Sequence, residues 1–223
     1  MENTHISPKP SRATRQIPSR SRASLRGELV ARLPADQNPR KIVFESKLEQ
    51  RTLHLLLSRT DIYDIWDQPP AVRYFNHEGK LKTHVFDYLV TFSNRRRMAV
   101  AIKPEQLVQK RRFREQLMRI RLSVTSTFAD DVCLITDRSF KLADAKNAEC
   151  LHEFRRDNDP EADIEIAGVI AKMNGPAKIE ELIAQTNLMY RGYRAIFRAI
   201  YAGHLRAIDD GEITETSRVE KVM

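Results

Sequence analysis

Three residues in the middle of the chain have side chains suited to phosphodiester chemistry: Glu49 in SKLEQRT, Asp87 in HVFDYLV and Lys103 in AVAIKP. Two carboxylates supply the hard oxygen ligands that Mg²⁺ prefers. A cation held between them polarises a phosphodiester and lowers the pKa of an attacking water. A lysine beside it orients that water or offsets charge developing on the phosphate. Mg²⁺, or Mn²⁺ in its place, is the expected cofactor. Each residue also has a plain alternative: Glu49 as a helix cap, Asp87 as the partner of an arginine, Lys103 as a solvated strand end. Glu45, one turn before Glu49, is a second choice for the helix acid. His84 lies three residues before Asp87, a spacing that sends two strand side chains to opposite faces. It is expected to be structural or to face substrate.

The elements that must hold these residues follow from periodicity and turn signals. The run FESKLEQRTLHLLLSR has a helical apolar stripe at Phe44, Leu48, Leu55 and Leu56, with Ser46 as N-cap and Glu49 at the capping-box position. Ile62–Trp66 reads as a strand broken by Gln68-Pro69-Pro70, a turn taken as mainly structural. Val72–Phe75 is extended, and Asn76–Gly79 is a hairpin-like turn. His84–Phe92 and Met98–Lys103 are the next strands, which places Asp87 and Lys103 on neighbouring strands of one hairpin. A helix is expected over Glu105–Val124, with Leu107, Phe113, Leu117 and Ile120 as its stripe. A buried strand, Asp131–Thr136, and a helix, Ala143–Arg155, follow. Together they describe an α/β core, a mixed sheet flanked by helices.

The flanks differ in character. From Met1 to about Arg40 the chain is rich in Ser, Pro and Arg without hydrophobic period, which predicts a flexible basic arm. Its arginines, Arg12, Arg15, Arg20, Arg22 and Arg26, suit phosphates or a protein partner. After a polar linker, 156–161, helices are expected over Ile164–Met173, Lys178–Gln185 and Leu188–Ala202. A hairpin of Leu205–Ile208 and Glu212–Thr216 should close the chain, giving a small winged-helix-like domain. The domain division is therefore an arm over 1–40, a core over 41–156 and the C-terminal domain over 157–223.

The net charge of +8 favours polyanionic partners, since each Lys or Arg at a phosphate releases condensed counterions. DNA is the expected partner. Arg95 and Arg96 at a hairpin tip, Lys110, Arg111 and Arg114 on the helix after Lys103, and Arg191 and Arg194 on the last helix are the candidate contacts. The alternative for each is a solvated charged face. Cys133 and Cys150 have no metal-ligand spacing, so no zinc site is expected. No run reaches the length of a membrane span and no signal-peptide apolar stretch opens the chain. A reducing cytoplasmic location is expected.

From Glu45 to Pro104 the sequence resembles the PD-(D/E)XK nucleases, and more closely the TnsA-like endonucleases of heteromeric cut-and-paste transposons. The resemblance rests on SKLE (46–49), IYDIWDQPP (62–70), HVFDYLV (84–90) and VAIKP (100–104) in that order and spacing. It implies a restriction-endonuclease-like fold. It makes Glu49 and Asp87 the metal-binding carboxylates and Lys103 the catalytic lysine. It also implies nicking of DNA at the 5′ ends of an element, beside a separate DDE-type transposase and an ATPase regulator. The sequence departs from the superfamily at Ala101, where Glu, Asp or Gln commonly stands two residues before the lysine. One side-chain ligand is lost, and water, a phosphate oxygen or the backbone carbonyl of Ile102 is left to complete the shell. Two other readings are a nuclease-fold adaptor without activity and a stand-alone repair or restriction nuclease.

Overall fold

The structure, a computed structural model, describes residues 7–15 and 25–222. Arg20 and Arg22 of the expected arm lie outside the described residues. Two compact units are formed, Met1–Leu53 with Asp61–Phe140, and His54–Thr60 with Lys141–Met223.

The first unit contains β1 (Gly27–Ala31), β2 (Arg40–Phe44), most of α1 (Lys47–Leu57), β3 (Ile62–Asp67), β4 (Val72–Phe75) and β5 (Leu81–His84). β6 (Tyr88–Phe92), β7 (Arg97–Ile102), α2 (Glu105–Lys110), α3 (Phe113–Ser123) and β8 (Asp131–Ile135) complete it. Its main sheet has the order β3-β6-β7-β8. The first three strands are antiparallel and β8 runs parallel to β7, so the sheet is mixed. A parallel return needs a crossover, which α2 and α3 provide. Ala99 and Ala101 of β7 and Leu89 of β6 join an apolar cluster with Phe86, Val108, Phe113, Leu117 and Ile120. By strand alternation Val100 and Ile102, also buried, point to the opposite face.

Several expectations change. The expected arm is in part ordered structure: β1 pairs with β2 from Gly27↔Phe44 to Ala31↔Arg40, and Lys9 bridges Arg40. The alternation in GELVA was masked by the polar residues around it. The expected strand over 84–92 is two strands, because β5 pairs with β4 while β6 pairs with β3 and β7. Residues 85–87 cross between the ladders, and Asp87 stands just before β6 rather than within a strand. The long helix after Pro104 is also two, broken at Arg112, which adopts a left-handed conformation with φ 49. In an unbroken helix Val108 and Phe113 would point about 140° apart; the break lets both enter one core. Val108 thereby takes the buried place expected for Leu107, which is exposed.

The second unit holds α4 (Leu142–Phe154), α5 (Pro160–Ala171), β9 (Ala177–Lys178), α6 (Ile179–Ile183), α7 (Tyr190–Tyr201), β10 (Leu205–Ala207) and β11 (Arg218–Lys221). The strands form an antiparallel sheet of order β10-β11-β9. The boundary falls before α4, not near 156, because α4 packs on α7: Phe154 meets Phe197 edge to face at 5.3 Å. The expected linker over 156–161 contains the start of α5. Asp159 caps that helix by accepting from the Ala162 N–H at 3.3 Å, with Pro160 in its first turn. The last strand is Arg218–Lys221 rather than 212–216, since Val219 supplies the buried residue the strand needs. Among the described residues no helix is long and apolar enough to cross a membrane.

Candidate active site

The main sheet of the first unit brings its chemistry together where β6 begins and β7 ends. Asp87 immediately precedes β6 and Lys103 immediately follows β7. The ladder between these strands does not continue past Tyr88↔Val100 in regular register. Instead the Asp87 N–H donates to the Val100 carbonyl at 3.0 Å, and the Ile102 N–H donates to Asp87 Oδ2 at 2.6 Å. A side-chain oxygen thus occupies the place of a backbone acceptor. In an extended strand the N–H and C=O of one residue point the same way, so the Ile102 carbonyl lies on the Asp87 side of β7.

Lys103 is held by its own N–H, which donates to the Ile135 carbonyl at 3.0 Å. Its Nζ lies 4.7 Å from the centre of the Phe113 ring. His84 packs edge-on against Phe86 at 4.7 Å and beside Phe113. Burial, reinforced by the nearby Lys103 charge, holds the His84 imidazole down to about 4. The imidazole is therefore neutral at ordinary pH and packs as part of the aromatic wall beside Lys103.

Glu49 is contributed by the first turn of α1. Its Oε1 accepts from the Ser46 hydroxyl at 2.9 Å and its Oε2 from the Glu45 N–H at 2.7 Å, while the Glu49 N–H donates to Ser46 Oγ at 3.1 Å. Half of the capping box expected from the sequence is formed: Ser46 Oγ caps the Glu49 N–H, while the Glu49 carboxylate reaches the Ser46 hydroxyl and the Glu45 N–H instead of the Ser46 N–H. The same carboxylate is buried and faces the Asp87 charge. Burial pushes Glu49 up, against the lowering effect of its two hydrogen bonds. For Asp87, burial first and the Glu49 charge second push the carboxyl up to about 7, although Ile102, Lys103 and Arg15 act in the other direction. Glu45 Oε1 is buried without a partner among the described residues.

The donor set fits one divalent cation. Glu49 and Asp87 lie close enough for their charges to repel, and the Asp87 carboxylate is bonded through one oxygen. A cation between the two would relieve that repulsion. Among the described residues no three His, Cys, Asp or Glu side chains converge on one point. The Ala101 side chain is buried in the apolar cluster and supplies no ligand.

Two residues beside the acids carried no chemical signal in the sequence. Gln68 was read as part of a structural turn. It is buried, has a left-handed backbone with φ 43, and donates its N–H to the Asp87 carbonyl at 2.9 Å. Arg15 was read as one arginine of a flexible arm. It donates from Nε to Gln68 Oε1 at 2.9 Å and from Nη2 to Glu45 Oε2. Residues 7–15 reach this point as a strap. The Lys41 N–H donates to the Lys9 carbonyl at 2.9 Å, Ser11 Oγ to Asp67 Oδ2 at 2.5 Å, and the Thr14 N–H to the Gln68 carbonyl at 3.1 Å. Arg12 spans both oxygens of Asp64 at 2.8 Å. No residue type or spacing in SPKPSRATR announces this placement.

The expected DNA contacts separate into free and engaged residues. Arg96, Lys110 and Arg111 are exposed and carry no ion pair among the described residues. Arg95 lies 4.5 Å from the Tyr63 ring centre at the tip of the β6–β7 turn. Arg114 is paired with Glu105 at 3.1 Å. Arg191 is fastened to Asp159 and Glu161, and Arg194 to Asp157, so these two hold α7 to the start of α5 instead of presenting a free basic face. A cavity of about 640 Å³ in the first unit is lined by Lys82, Arg111, Arg112 and Arg119, with Tyr74, Asn76, His77, Glu115 and Gln116. No protein-family model matches this chain, and no curated protein matches it either, so the chemistry rests on the arrangement of Glu49, Asp87 and Lys103 themselves.

Proposed function

We propose that the protein is a metal-dependent DNA endonuclease. The observation that carries this reading is the placement of Asp87, bonded to the Ile102 N–H, beside Glu49 and Lys103 at one end of a mixed sheet. Glu49, Asp87 and the Ile102 carbonyl would hold Mg²⁺ or Mn²⁺. When bound, that cation polarises the phosphodiester and makes its bound water more acidic. Asp87 is locked to the β7 end by its hydrogen bond, so its orientation needs no rearrangement. Lys103 extends from the end of β7 along Phe113, whose ring face favours the ammonium. There it orients the attacking water and offsets charge on the phosphate as the water oxygen bonds to phosphorus and the P–O ester bond breaks. Lys110, Arg111 and the basic cavity between β4–β5 and α3 suit a backbone track for the flanking duplex.

The likeness to TnsA-like enzymes narrows the proposal to cutting at transposon ends with a DDE-type transposase and an ATPase regulator. A nicking assay on donor-end DNA with those partners supplied tests it. Asp87→Ala and Lys103→Ala should each lower cleavage by about two to three orders of magnitude. Unchanged cutting in both variants rejects the assigned site. A second reading, an adaptor that binds DNA and partners without cutting, is favoured by one observation: Ala101 is packed among apolar side chains where the superfamily carries a ligand. It requires DNA binding that survives every metal and partner combination with no cleavage in any.

A further inference from the structure

We propose that Arg15 binds a non-bridging oxygen of the phosphate cleaved at this site. The inference rests on the nuclease reading above and adds a substrate-binding residue to it. The guanidinium is fixed from two sides, Nε on Gln68 and Nη2 on Glu45. Gln68 in turn is joined through its backbone N–H to the Asp87 carbonyl, so Arg15 and Asp87 share one support. Gln68 holds a φ of 43, uncommon for a non-glycine residue, and that conformation accompanies an amide fixed between Asp87 and Arg15.

Comparison with Arg40 separates a site residue from a structural one. Arg40 also bonds acids of this region, Asp36 and Asp64, but its side chain is 2% exposed and is enclosed. The Arg15 side chain is 48% exposed, and Nη1 has no bond among the described residues. One edge of the fork is thus fixed while the rest reaches solvent beside the acids. The Arg15 and Lys103 charges both act on the Asp87 carboxylate, so a phosphate drawn to this end of the sheet meets two cations. A planar guanidinium matches phosphate oxygens in geometry as well as charge. The strap is tied at Lys9, Ser11, Arg12 and Thr14 independently of Arg15. This favours a residue held in place over a plug that must leave.

The test is fluorescence anisotropy of a labelled DNA duplex with the full chain, in Ca²⁺ and across a salt series, followed by cleavage in Mg²⁺. Arg15→Ala should weaken binding about tenfold and lower the slope of log K against log salt by about 0.9, the value of one phosphate contact. Arg15→Lys should keep the slope and recover part of the affinity, which also guards against a folding defect in the alanine variant. Unchanged affinity and slope in Arg15→Ala overturn the proposal, as does faster cleavage, which would mark a plug. If Arg15→Ala is silent while Asp87→Ala abolishes cutting, the nuclease reading stands and the role of Arg15 fails. If the binding loss occurs and the wild-type chain never cuts, Arg15 contacts a DNA phosphate, but the nuclease reading fails and the proposal of a cleaved phosphate held by Arg15 is overturned with it.

Discussion

The carboxylate of Asp87 accepts a 2.6 Å hydrogen bond from the backbone N–H of Ile102, and through it the acid is fixed to the end of the strand that leads into Lys103. The bond aligns the two ends of a hairpin at the point where its backbone ladder becomes irregular. It also explains how an acid with so much surrounding protein retains a defined orientation while sharing its site with Glu49.

Without a cation, Asp87 should destabilise the fold near neutral pH. Its carboxyl is raised to about 7 from an ordinary 3.8. The folded state therefore binds the proton more tightly than the unfolded chain, and stability declines as pH rises from 4 through 7. Asp87→Asn keeps an acceptor for the Ile102 N–H and removes the charge. In EDTA, calorimetry should find the variant more stable by about 2–4 kcal/mol at pH 8, with the gain shrinking toward pH 4. A gain that is the same at both pH values would contradict the assignment.

His84 gives the opposite slope. Its imidazole is held down to about 4, below the ordinary 6.5, by burial and by Lys103. Here the unfolded chain takes up the proton first, so stability is complete above 6.5 and falls as pH drops toward 4. His84→Phe removes the titrating group and the buried Nε2, which has no partner among the described residues. Urea unfolding should show the wild-type chain losing about 2–3 kcal/mol more than this variant between pH 7 and pH 4.5. Parallel acid limbs for the two proteins would dismiss the effect.

Ala101 tests where the cation sits. The residue is buried with Phe113, Leu117 and Ile120, so Ala101→Glu introduces an unpaired buried charge and some overpacking. The expected cost in EDTA is about 2–4 kcal/mol. If position 101 adjoins the cation, Mg²⁺ should restore much of that loss in a thermal melt and leave Ala101→Leu unaffected. Equal melting of Ala101→Glu with and without Mg²⁺ would place the cation elsewhere.

The chemistry was legible in the chain to the extent that it depends on local order. The Ser46 cap on the Glu49 N–H, the strands on either side of the β6–β7 turn and the Lys-Pro stop after β7 are written in short-range spacing, and each forms. The break at Arg112 and the split at 85–87 were not legible. They satisfy two packing surfaces at once, and a periodic pattern describes one surface at a time. The same limit governed the basic residues: Arg191 and Arg194 stand on a helix face that looks free until the acids at 157–161 arrive against it.

Residue types and their order alone determined that one acid falls in a helix and that a second acid and a lysine flank one hairpin of an α/β core, because caps, alternation and turn residues act over a few positions. Only the tertiary structure decided that Arg15 and Gln68 stand with them and that Asp87 replaces a ladder carbonyl. Those relations join residues 15, 45, 68, 87 and 102, which are close in space through strand pairing and burial, and no local pattern in the chain encodes that closeness.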